Sequence, residues 1–342
     1  MPHKLLKCAD QIQVNSMTQY PPIISAFVTM MLTLILTLNK HGMIQDIPND
    51  RSLHTEPIPR IGGIAIMAGI LSGWVLLIHF WAWWIVLPAL GLFGLSLIDD
   101  VHELSAKVRL LGHFIAAMIL LGGAGIPWIW WLPLLLLIVW MTNLFNFMDG
   151  SDGLAGGMAL FGFSFYGIAA IMHGNDAFAM MNFTVGAAAL GFLYHNFHPA
   201  RVFMGDAGSI PLGFLAAAFG IWGWQQGSWV FWYPILVFSP FVVDATTTLL
   251  KRVWRKENLV QAHREHYYQR LIQMGWSHSS TAVVEYVLML MVGGTALWGI
   301  GQDAHTQLNL LAWWAAIYLG LTSWIDRRWR QHQMVNKSVP EI

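Results

Sequence analysis

Residues 82–100 read AWWIVLPALGLFGLSLIDD, an uncharged apolar run through Ile98 that ends on two adjacent aspartates. The core of a lipid bilayer is roughly 30 Å thick and needs about 20 mostly apolar residues in a helix. Unpaired backbone groups cannot lie in lipid, so a helix is the form such a run takes there. The stretch therefore predicts a membrane-spanning helix with Asp99 and Asp100 at its end.

Ten further stretches have the same character. Together with 82–98, they lie near 21–39, 61–79, 108–123, 127–143, 158–172, 178–194, 210–225, 229–250, 279–300 and 309–325. The sequence thus predicts an all-α polytopic membrane bundle of about eleven transmembrane helices. We expect three regions: a polar N-terminal tail (1–20), a single transmembrane catalytic domain (21–325) and a C-terminal tail (326–342). The first region lacks the apolar core of a cleavable signal peptide.

The composition agrees with a chain dissolved in lipid. Of its 342 residues, 56% are hydrophobic and 11% are charged, against about 25% charged in ordinary soluble domains. A formal net charge of zero argues against nucleic acid as a bulk partner. Cys8 is the single cysteine, which excludes an intramolecular disulfide and a cysteine-based zinc cluster.

The basic residues predict the orientation. In a chain that crosses the membrane repeatedly, the loop at 40–60, every second connection after it and the C-terminal tail lie on the same side. That side carries 16 of the 18 Lys and Arg residues, and the other two, Lys4 and Lys7, lie in the N-terminal tail. Cytoplasmic loops collect Lys and Arg. We therefore expect this side and the C-terminus to be cytoplasmic and the N-terminus to be outside. Thirteen tryptophans flank turns on the opposite side, as expected of an interfacial belt.

The cytoplasmic connections hold the residues with reactive chemistry. The first contains Arg51 and, in PIPRIGG, Arg60, which could bind phosphate oxygens. The second contains Asp99 and Asp100, whose mutual repulsion a divalent cation would relieve. Each has a plainer alternative: a basic loop that satisfies the positive-inside rule, and solvated loop charge.

Two more connections are acidic and rich in glycine. In NLFNFMDGSDGLAGG, Asn146, Asp149 and Asp152 recur every third residue, so they could bind a cation or accept hydrogen bonds from a sugar or base. In MGDAGS, Asp206 stands between small residues and Ser209 could cap a helix. Turn formation and capping alone are the alternatives.

The last connection, 251–275, is the longest and most basic. Its sequence HREHYYQRL places His263 and His266 three residues apart among arginines. Phosphate contacts are favoured over a zinc site because no cysteine is near, and a purely topogenic loop is the alternative. Anionic substrate, divalent metal and a lipid-level site together favour transfer of a phosphorylated group to a membrane lipid. A secondary transporter of anionic or nucleotide-linked substrates is the alternative from another class, although Asp244 and Glu285 are the only acids well inside the spans.

The order of HxxPxPRxGG, DDxxxLSxKxR, NxxNxxDGxDGLxxG, GDxGS and a His/Arg-rich loop resembles the polyprenyl-phosphate N-acetylhexosamine-1-phosphate transferases of glycosyltransferase family 4, which are related to the phospho-MurNAc-pentapeptide translocase. The resemblance covers roughly residues 22–325. It implies transfer of a sugar 1-phosphate from a UDP-N-acetyl sugar to undecaprenyl phosphate, with release of UMP. It also implies Mg²⁺ as cofactor, with Mn²⁺ as a substitute, and a multi-pass protein of the bacterial inner membrane whose site is cytoplasmic.

The resemblance also implies roles for individual residues. Asp99 and Asp100 would be the catalytic pair beside the lipid phosphate, Asp206 the principal metal ligand with Asp149, and His266 a catalytic group at the diphosphate or sugar. The implied substrate-binding residues are Arg60, Lys107, Asn146, Asp149, Asp152, Asn196, His263, Arg264 and Arg270. A direct reaction and a two-step route through an aspartyl phosphate are both left open.

The last loop departs from the family pattern. Where many members carry HxHH, this chain has His266 followed by Tyr268 and Gln269, and His263 stands where an aspartate is expected. The sugar is therefore left open between GlcNAc, the default, and 6-deoxy amino sugars such as FucNAc or QuiNAc. The expected product initiates a cell-envelope glycan such as O-antigen in lipopolysaccharide. Membrane lipids are expected partners, and a homodimer is left open.

Overall fold

Helices dominate the protein. The computed structural model describes residues 20–38, 44–46, 57–258 and 263–338. Its helices are α1 (Pro21–Leu38), α2 (Gly62–Val75), α3 (Trp83–His102), α4 (Ala106–Gly123), α5 (Trp131–Phe147), α6 (Leu154–Met172), α7 (Asp176–Asn196), α8 (Asp206–Gln225), α9 (Trp232–Val237), α10 (Ser239–Trp254), α11 (Tyr267–Gln273), α12 (His278–Ile300) and α13 (Ala304–Ser338). The short strands β1 (Gln45–Asp46) and β2 (Ile58–Pro59) pair antiparallel.

Nine helices within the described ranges are long and apolar enough to cross a membrane. They are α1, α3, α4, α5 with the 3₁₀ turn before it, α6, α7, α8, α12 and α13. This confirms the prediction of an all-α polytopic membrane bundle.

The two remaining predicted spans have a different form. The predicted span 61–79 contains α2, which has 14 residues and is followed by a 3₁₀ turn at Ile78–Phe80. The predicted span 229–250 is divided at Phe238 into α9 and α10. Pro240 explains this break, because proline has no N–H to continue the hydrogen bonds of a helix. Nine of the predicted spans are thus long apolar helices in the described ranges, and the count of about eleven stays a prediction.

Several helices extend beyond their predicted apolar edges into the sequence motifs. Helix α6 begins at Leu154 rather than near 158, and α8 begins at Asp206 rather than near 210. Helix α13 continues to Ser338, so residues 326–338 of the expected C-terminal tail prolong the last helix. The N-terminal tail up to residue 19 lies outside the described residues.

Helix α8 lies in the centre of the bundle, and most of its side chains are buried. It packs against α3 and α5. Small residues allow this close approach: a Cβ on Gly213 would lie 2.7 Å from the carbonyl oxygen of Met141 in α5. The crossing brings the end of α5 beside the start of α8. Asn146 and Asp206, which are 60 residues apart in sequence, meet there.

Candidate functional site

Asp206, the first residue of α8, is contacted by three other segments of the chain. Its Oδ1 accepts a hydrogen bond of 2.8 Å from Nδ2 of Asn146 and lies 3.3 Å from Nη2 of Arg60. Its Oδ2 lies 3.5 Å from Nη1 of Arg109, the arginine of the LSxKxR segment in α4. Segments distant in sequence therefore converge on one carboxylate.

The adjacent aspartates at the end of α3 have different partners. Oδ2 of Asp99 lies 3.2 Å from Nη1 of Arg109, and its Oδ1 accepts a hydrogen bond from the backbone N–H of Leu104. The carboxylate of Asp100 is almost fully buried and accepts hydrogen bonds of 3.1 and 3.3 Å from the first two backbone N–H groups of α8. Asp100 thus caps α8, where the helix dipole favours negative charge. Asp99 shares Arg109 with Asp206.

Arg60 reaches the cluster because its loop lies close to the GDxGS turn. The backbone N–H of Gly63 donates to the carbonyl of Met204 at 2.8 Å, and a Cβ on Gly63 would lie 2.2 Å from the backbone nitrogen of Gly208. Only glycine allows this approach. Burial lowers the pKa of Arg60, but the charges of Asp206, Asp100, Asp46 and Asp149 outweigh it and raise the pKa above its ordinary value.

Asp149 adds a fourth carboxylate to the cluster. Its side chain keeps some accessible surface, but the surrounding protein removes most of its water. This desolvation raises the pKa of Asp149 well above its ordinary value. The positive charge of Arg60 opposes the shift, and the charges of Asp206, Asp100 and Asp46 add to it. We refer to Asp99, Asp100, Asp149 and Asp206 together as the acidic cluster.

The acidic cluster fits a divalent cation held jointly with a substrate. Three of its carboxyl groups, those of Asp99, Asp100 and Asp206, lie within 4 Å of the guanidiniums of Arg60 and Arg109, and a divalent cation beside Asp149 would favour the ionised form that burial disfavours. Arg109 also marks a position between Asp99 and Asp206 where positive charge is stabilised. Within the described ranges, no three His, Cys, Asp or Glu residues are arranged as a complete metal site. Mg²⁺ usually takes one or two carboxylates plus substrate phosphates, so an incomplete protein site suits it.

Asp152 belongs to a neighbouring group. Its Oδ2 lies 2.7 Å from Nδ1 of His198 and accepts a hydrogen bond from the backbone N–H of Ala200. Asn196 connects the two loops, since its Oδ1 accepts from the backbone N–H of Gly153 and its Nδ2 donates to the carbonyl of Val202. These contacts join the DGSDG loop to the loop before α8. Asn196 is thereby committed to two backbone groups.

The histidine segment, residues 263–273, lies against the end of α5. The ring of His266 stacks on Phe147 with centroids 6.2 Å apart, and the hydroxyl of Tyr268 donates to the carbonyl of Phe147 at 3.2 Å. The ring of His263 lies 5.0 Å from that of His266. Burial, followed by the charges of His266 and Arg252, lowers the pKa of His263 to about 4. His263 is therefore neutral at pH 7.

Lys107, Arg264 and Arg270 are three further predicted substrate-binding residues. Lys107 is exposed on α4, and no ion pair of Lys107 occurs among the residues described. Arg264 is half-buried in the loop before α11. Nη1 of Arg270 lies 2.9 Å from Oδ1 of Asp326 in α13, so this guanidinium is bound within the protein. Their roles toward substrate stay predictions.

Sequence reasoning gave no site role to Arg109, Ser209 or Asp244. Arg109 was counted only among the basic residues, yet it contacts two carboxylates of the cluster. Ser209, considered only as a cap, accepts a hydrogen bond from Nδ2 of Asn146 at 3.1 Å. Asp244 binds the histidine segment from inside α10. The signal for Asp244 was present in the sequence, because an acid in an apolar helix is costly and usually serves a function.

Comparison with known proteins gives a family match for part of the chain. Residues 82–224 match the family model described as glycosyl transferase family 4. The matched region contains all four carboxylates of the acidic cluster, while Arg60 and the histidine segment lie outside it.

Three relatives extend the comparison over more of the chain. A probable undecaprenyl-phosphate N-acetylglucosaminyl 1-phosphate transferase of Bacillus subtilis (strain 168) is 30% identical over 78% of this chain and 82% of its own length. An undecaprenyl-phosphate alpha-N-acetylglucosaminyl 1-phosphate transferase of Yersinia pestis is 26% identical over 95% of this chain and 96% of its own. A phospho-N-acetylmuramoyl-pentapeptide-transferase of Synechococcus sp. (strain JA-2-3B'a(2-13)) is 30% identical over 70% of this chain and 79% of its own length.

Proposed function

This chain belongs to glycosyl transferase family 4, and from that membership we propose that it transfers N-acetylglucosamine 1-phosphate from UDP-N-acetylglucosamine to undecaprenyl phosphate, releasing UMP. The names of the relatives from Bacillus subtilis and Yersinia pestis specify undecaprenyl phosphate as acceptor and N-acetylglucosaminyl 1-phosphate as the transferred group. These names do not favour the alternative interpretation as a secondary transporter.

The observation that carries the proposal is the convergence on Asp206. One carboxylate is contacted by Asn146, Arg60 and Arg109, and Arg109 also binds Asp99. A diphosphate needs cationic groups for its oxygens and a site for a metal ion beside them. Catalysis of phosphoryl transfer consists mainly of such positioning and charge stabilisation.

An apolar groove provides a place for a polyprenyl chain. It lies between α5, α8 and α9 and is lined by aliphatic and aromatic residues such as Leu137, Trp140, Ile221 and Pro234. Helices α5 and α8, which form two of its walls, carry Asn146 and Asp206 at their ends. An acceptor whose chain lies in this groove can bring its phosphate to the acidic cluster.

The reaction forms one P–O bond and breaks another. A phosphate oxygen of the acceptor attacks the β-phosphorus of the UDP-sugar, and the bond from that phosphorus to the bridging oxygen breaks, so the oxygen leaves with UMP. The second pKa of a phosphate monoester is near 6, so the acceptor is mostly dianionic at neutral pH and needs no strong base. Arg60 and Arg109 bind the phosphate oxygens, and Asp100 holds the start of α8 in place.

We propose Mg²⁺ as the cofactor, held by Asp206 and Asp149 together with diphosphate oxygens, with Mn²⁺ as a substitute. When bound, it withdraws charge from the diphosphate. The oxygen-rich donor set supports this assignment.

We further propose that the acidic cluster faces the cytoplasm of a bacterium, in its inner membrane, and that the product starts a cell-envelope glycan. The distribution of Lys and Arg supports this orientation. It places the site on the side where nucleotide-sugars are made.

Purified protein in lipid nanodiscs with undecaprenyl phosphate and radiolabelled UDP-sugars tests the proposal. We expect UMP and labelled lipid in equal amounts, dependent on Mg²⁺, with UDP-N-acetylglucosamine preferred over UDP-FucNAc and UDP-QuiNAc. Asp206→Asn should abolish both products, while Lys256→Gln, a change at an exposed residue outside the site, should leave them unchanged. Failure to release UMP from any UDP-sugar would contradict the proposal.

A further inference from the structure

Asp244 lies within α10 and is buried, and its carboxylate binds the start of α11 as well as Thr248 in its own helix, whose hydroxyl donates to Oδ1 at 3.2 Å. Oδ1 lies 3.0 Å from Nδ1 of His266 and accepts a hydrogen bond of 3.0 Å from the backbone N–H of Tyr267. Oδ2 accepts from the backbone N–H of Tyr268 at 3.0 Å. A single acid in an apolar helix thus binds both a helix N-terminus and a histidine ring.

This contact determines which nitrogen of His266 carries a proton. An ionised carboxylate can only accept hydrogen bonds, so Nδ1 must be the donor. The other ring nitrogen, Nε2, has no hydrogen bond among the residues that the structure describes. In the neutral ring, Nε2 is therefore left with a lone pair for an outside group; in the charged ring, it is left with a proton.

Two aromatic side chains fix the plane of the same ring. His266 is nearly parallel to Phe147, at 25°, and to Tyr268, at 17°. Phe147 is the last residue of α5 and immediately precedes the loop that carries Asp149. The ring thus lies beside the end of α5, two residues before Asp149, with its tilt set by stacking and its rotation set by Asp244.

Capping of α11 alone does not account for an aspartate here. Ser, Thr or Asn serve as helix caps as well as Asp does, and a carboxylate inside an apolar helix is costly. A carboxylate that accepts from an imidazole N–H, however, sets the tautomer and orientation of the ring, as partners of catalytic and metal-binding histidines do.

We propose that Asp244 is a positioning residue for the transfer reaction, acting through His266 by holding Nδ1 protonated so that Nε2 faces the UDP-sugar. This inference rests on the proposed function, and it assigns a role to an acid outside the family-matched region.

Kinetics on single and double variants test whether Asp244 acts through His266. We expect Asp244→Asn to lower kcat/KM for the UDP-sugar by about 10- to 100-fold, the range seen when carboxylate partners of ligand histidines are removed. In a His266→Ala background, the same substitution should lower kcat/KM by less than about twofold, because the effects of substitutions at interacting residues are not additive. A full loss in that background would overturn the proposal.

Asp326→Asn is the matched control. Asp326 holds the other side of α11 through Arg270 and does not contact His266. If Asp244 merely kept α11 in place, the two aspartate variants would behave alike, and both effects would persist without His266. We expect Asp326→Asn to lower thermal stability, with an effect on activity that is additive with His266→Ala.

Nitrogen NMR of histidine side chains gives a readout that needs no activity. With ring ¹⁵N labelling, the signal lost in His266→Ala identifies His266, and the wild-type protein should show a protonated Nδ1. A neutral His266 with its proton on Nε2 would refute the proposal even if Asp244→Asn cannot be purified. If the protein releases no UMP but NMR shows a protonated Nδ1, the proposed function is wrong, while the inference that Asp244 positions the His266 ring is still supported.

Discussion

Nδ2 of Asn146 donates a 2.8 Å hydrogen bond to Oδ1 of Asp206, so the end of α5 holds the carboxylate at the start of α8. Asn146→Ala should therefore lower kcat by about 10- to 100-fold. A hydrogen bond to a charged group contributes about 1.5–3 kcal/mol, and each 1.36 kcal/mol is a factor of ten in rate. UMP release measures the effect.

Asn143 supplies the control for this prediction. It lies one turn earlier on α5 and binds His113 and the carbonyl of Val139 rather than Asp206. Asn143→Ala should retain most of the activity. Equal losses in the two variants would indicate that damage to α5, not loss of the Asp206 contact, is responsible.

Arg109 should matter more than Lys107, although the sequence favoured Lys107. Arg109 contacts Asp99 and Asp206, whereas Lys107 is exposed. Arg109→Gln leaves two neighbouring carboxylates without their shared cation and removes a phosphate-binding group, so KM for the UDP-sugar should rise at least about tenfold, as for loss of a charge-assisted hydrogen bond. Steady-state kinetics on Arg109→Gln and Lys107→Gln measure this difference. A larger increase in KM for Lys107→Gln than for Arg109→Gln would support the sequence-based assignment instead.

His263 should make stability depend on pH. Its pKa is about 4 in the folded protein and about 6.5 in an unfolded chain. Between these values the unfolded state binds a proton that the folded state does not, so this contribution weakens stability as the pH falls from about 6.5 to 4. In thermal unfolding, His263→Gln should lose less stability than wild type between pH 7 and pH 5.

His102 is the control for the pH measurement, because it is an exposed histidine at the end of α3. His102→Gln should leave the wild-type dependence unchanged. The prediction is wrong if the two variants show the same slope.

Gly150 should be intolerant of a side chain because Tyr268 occupies the space. A Cβ at position 150 would lie 2.3 Å from the Tyr268 hydroxyl, which donates to the carbonyl of Phe147. Gly150→Ala should therefore lower the melting temperature and the activity together. Tyr268→Phe removes the colliding oxygen, so it should lower the melting temperature less in the Gly150→Ala background than in wild type.

Gly94 provides the comparison, since a Cβ there meets nothing within 4 Å. Gly94→Ala in α3 should be neutral or stabilising, because alanine is the better helix former. Additive effects of Gly150→Ala and Tyr268→Phe would show that the two residues do not interact as described.

The architecture and the proximity of Asp99, Asp100 and Asp206 could be predicted because both depend on pattern, whereas Asp152, expected in the same pocket, binds His198 and Ala200 instead. Apolar runs of about 20 residues indicate spans, and alternating connections place 99–109, 143–157 and 196–209 at one end of the bundle. The contacts of Asp206 with Asn146 and Arg109 join these segments.

Pairings inside the site could not be predicted, because they depend on helix rotation and depth. Asp99 and Asp100 are adjacent in sequence, yet one binds Arg109 and the other caps α8. Residues on a helix surface point 100° apart, so neighbouring residues face different partners. Arg270 was likewise assigned to substrate, although Asp326 on a helix more than fifty residues later binds it.

The convergence of distant segments on Asp206 has a consequence for how the protein is made. Arg60 and Asp206 are 146 residues apart, so at roughly 5–20 residues per second a ribosome delivers the aspartate about 7 to 30 s after the arginine. Until α8 has been synthesised, Arg60 and Arg109 lack the carboxylate that they share. A truncated nascent chain therefore lacks a working centre, and this catalyst acquires its activity late in biogenesis.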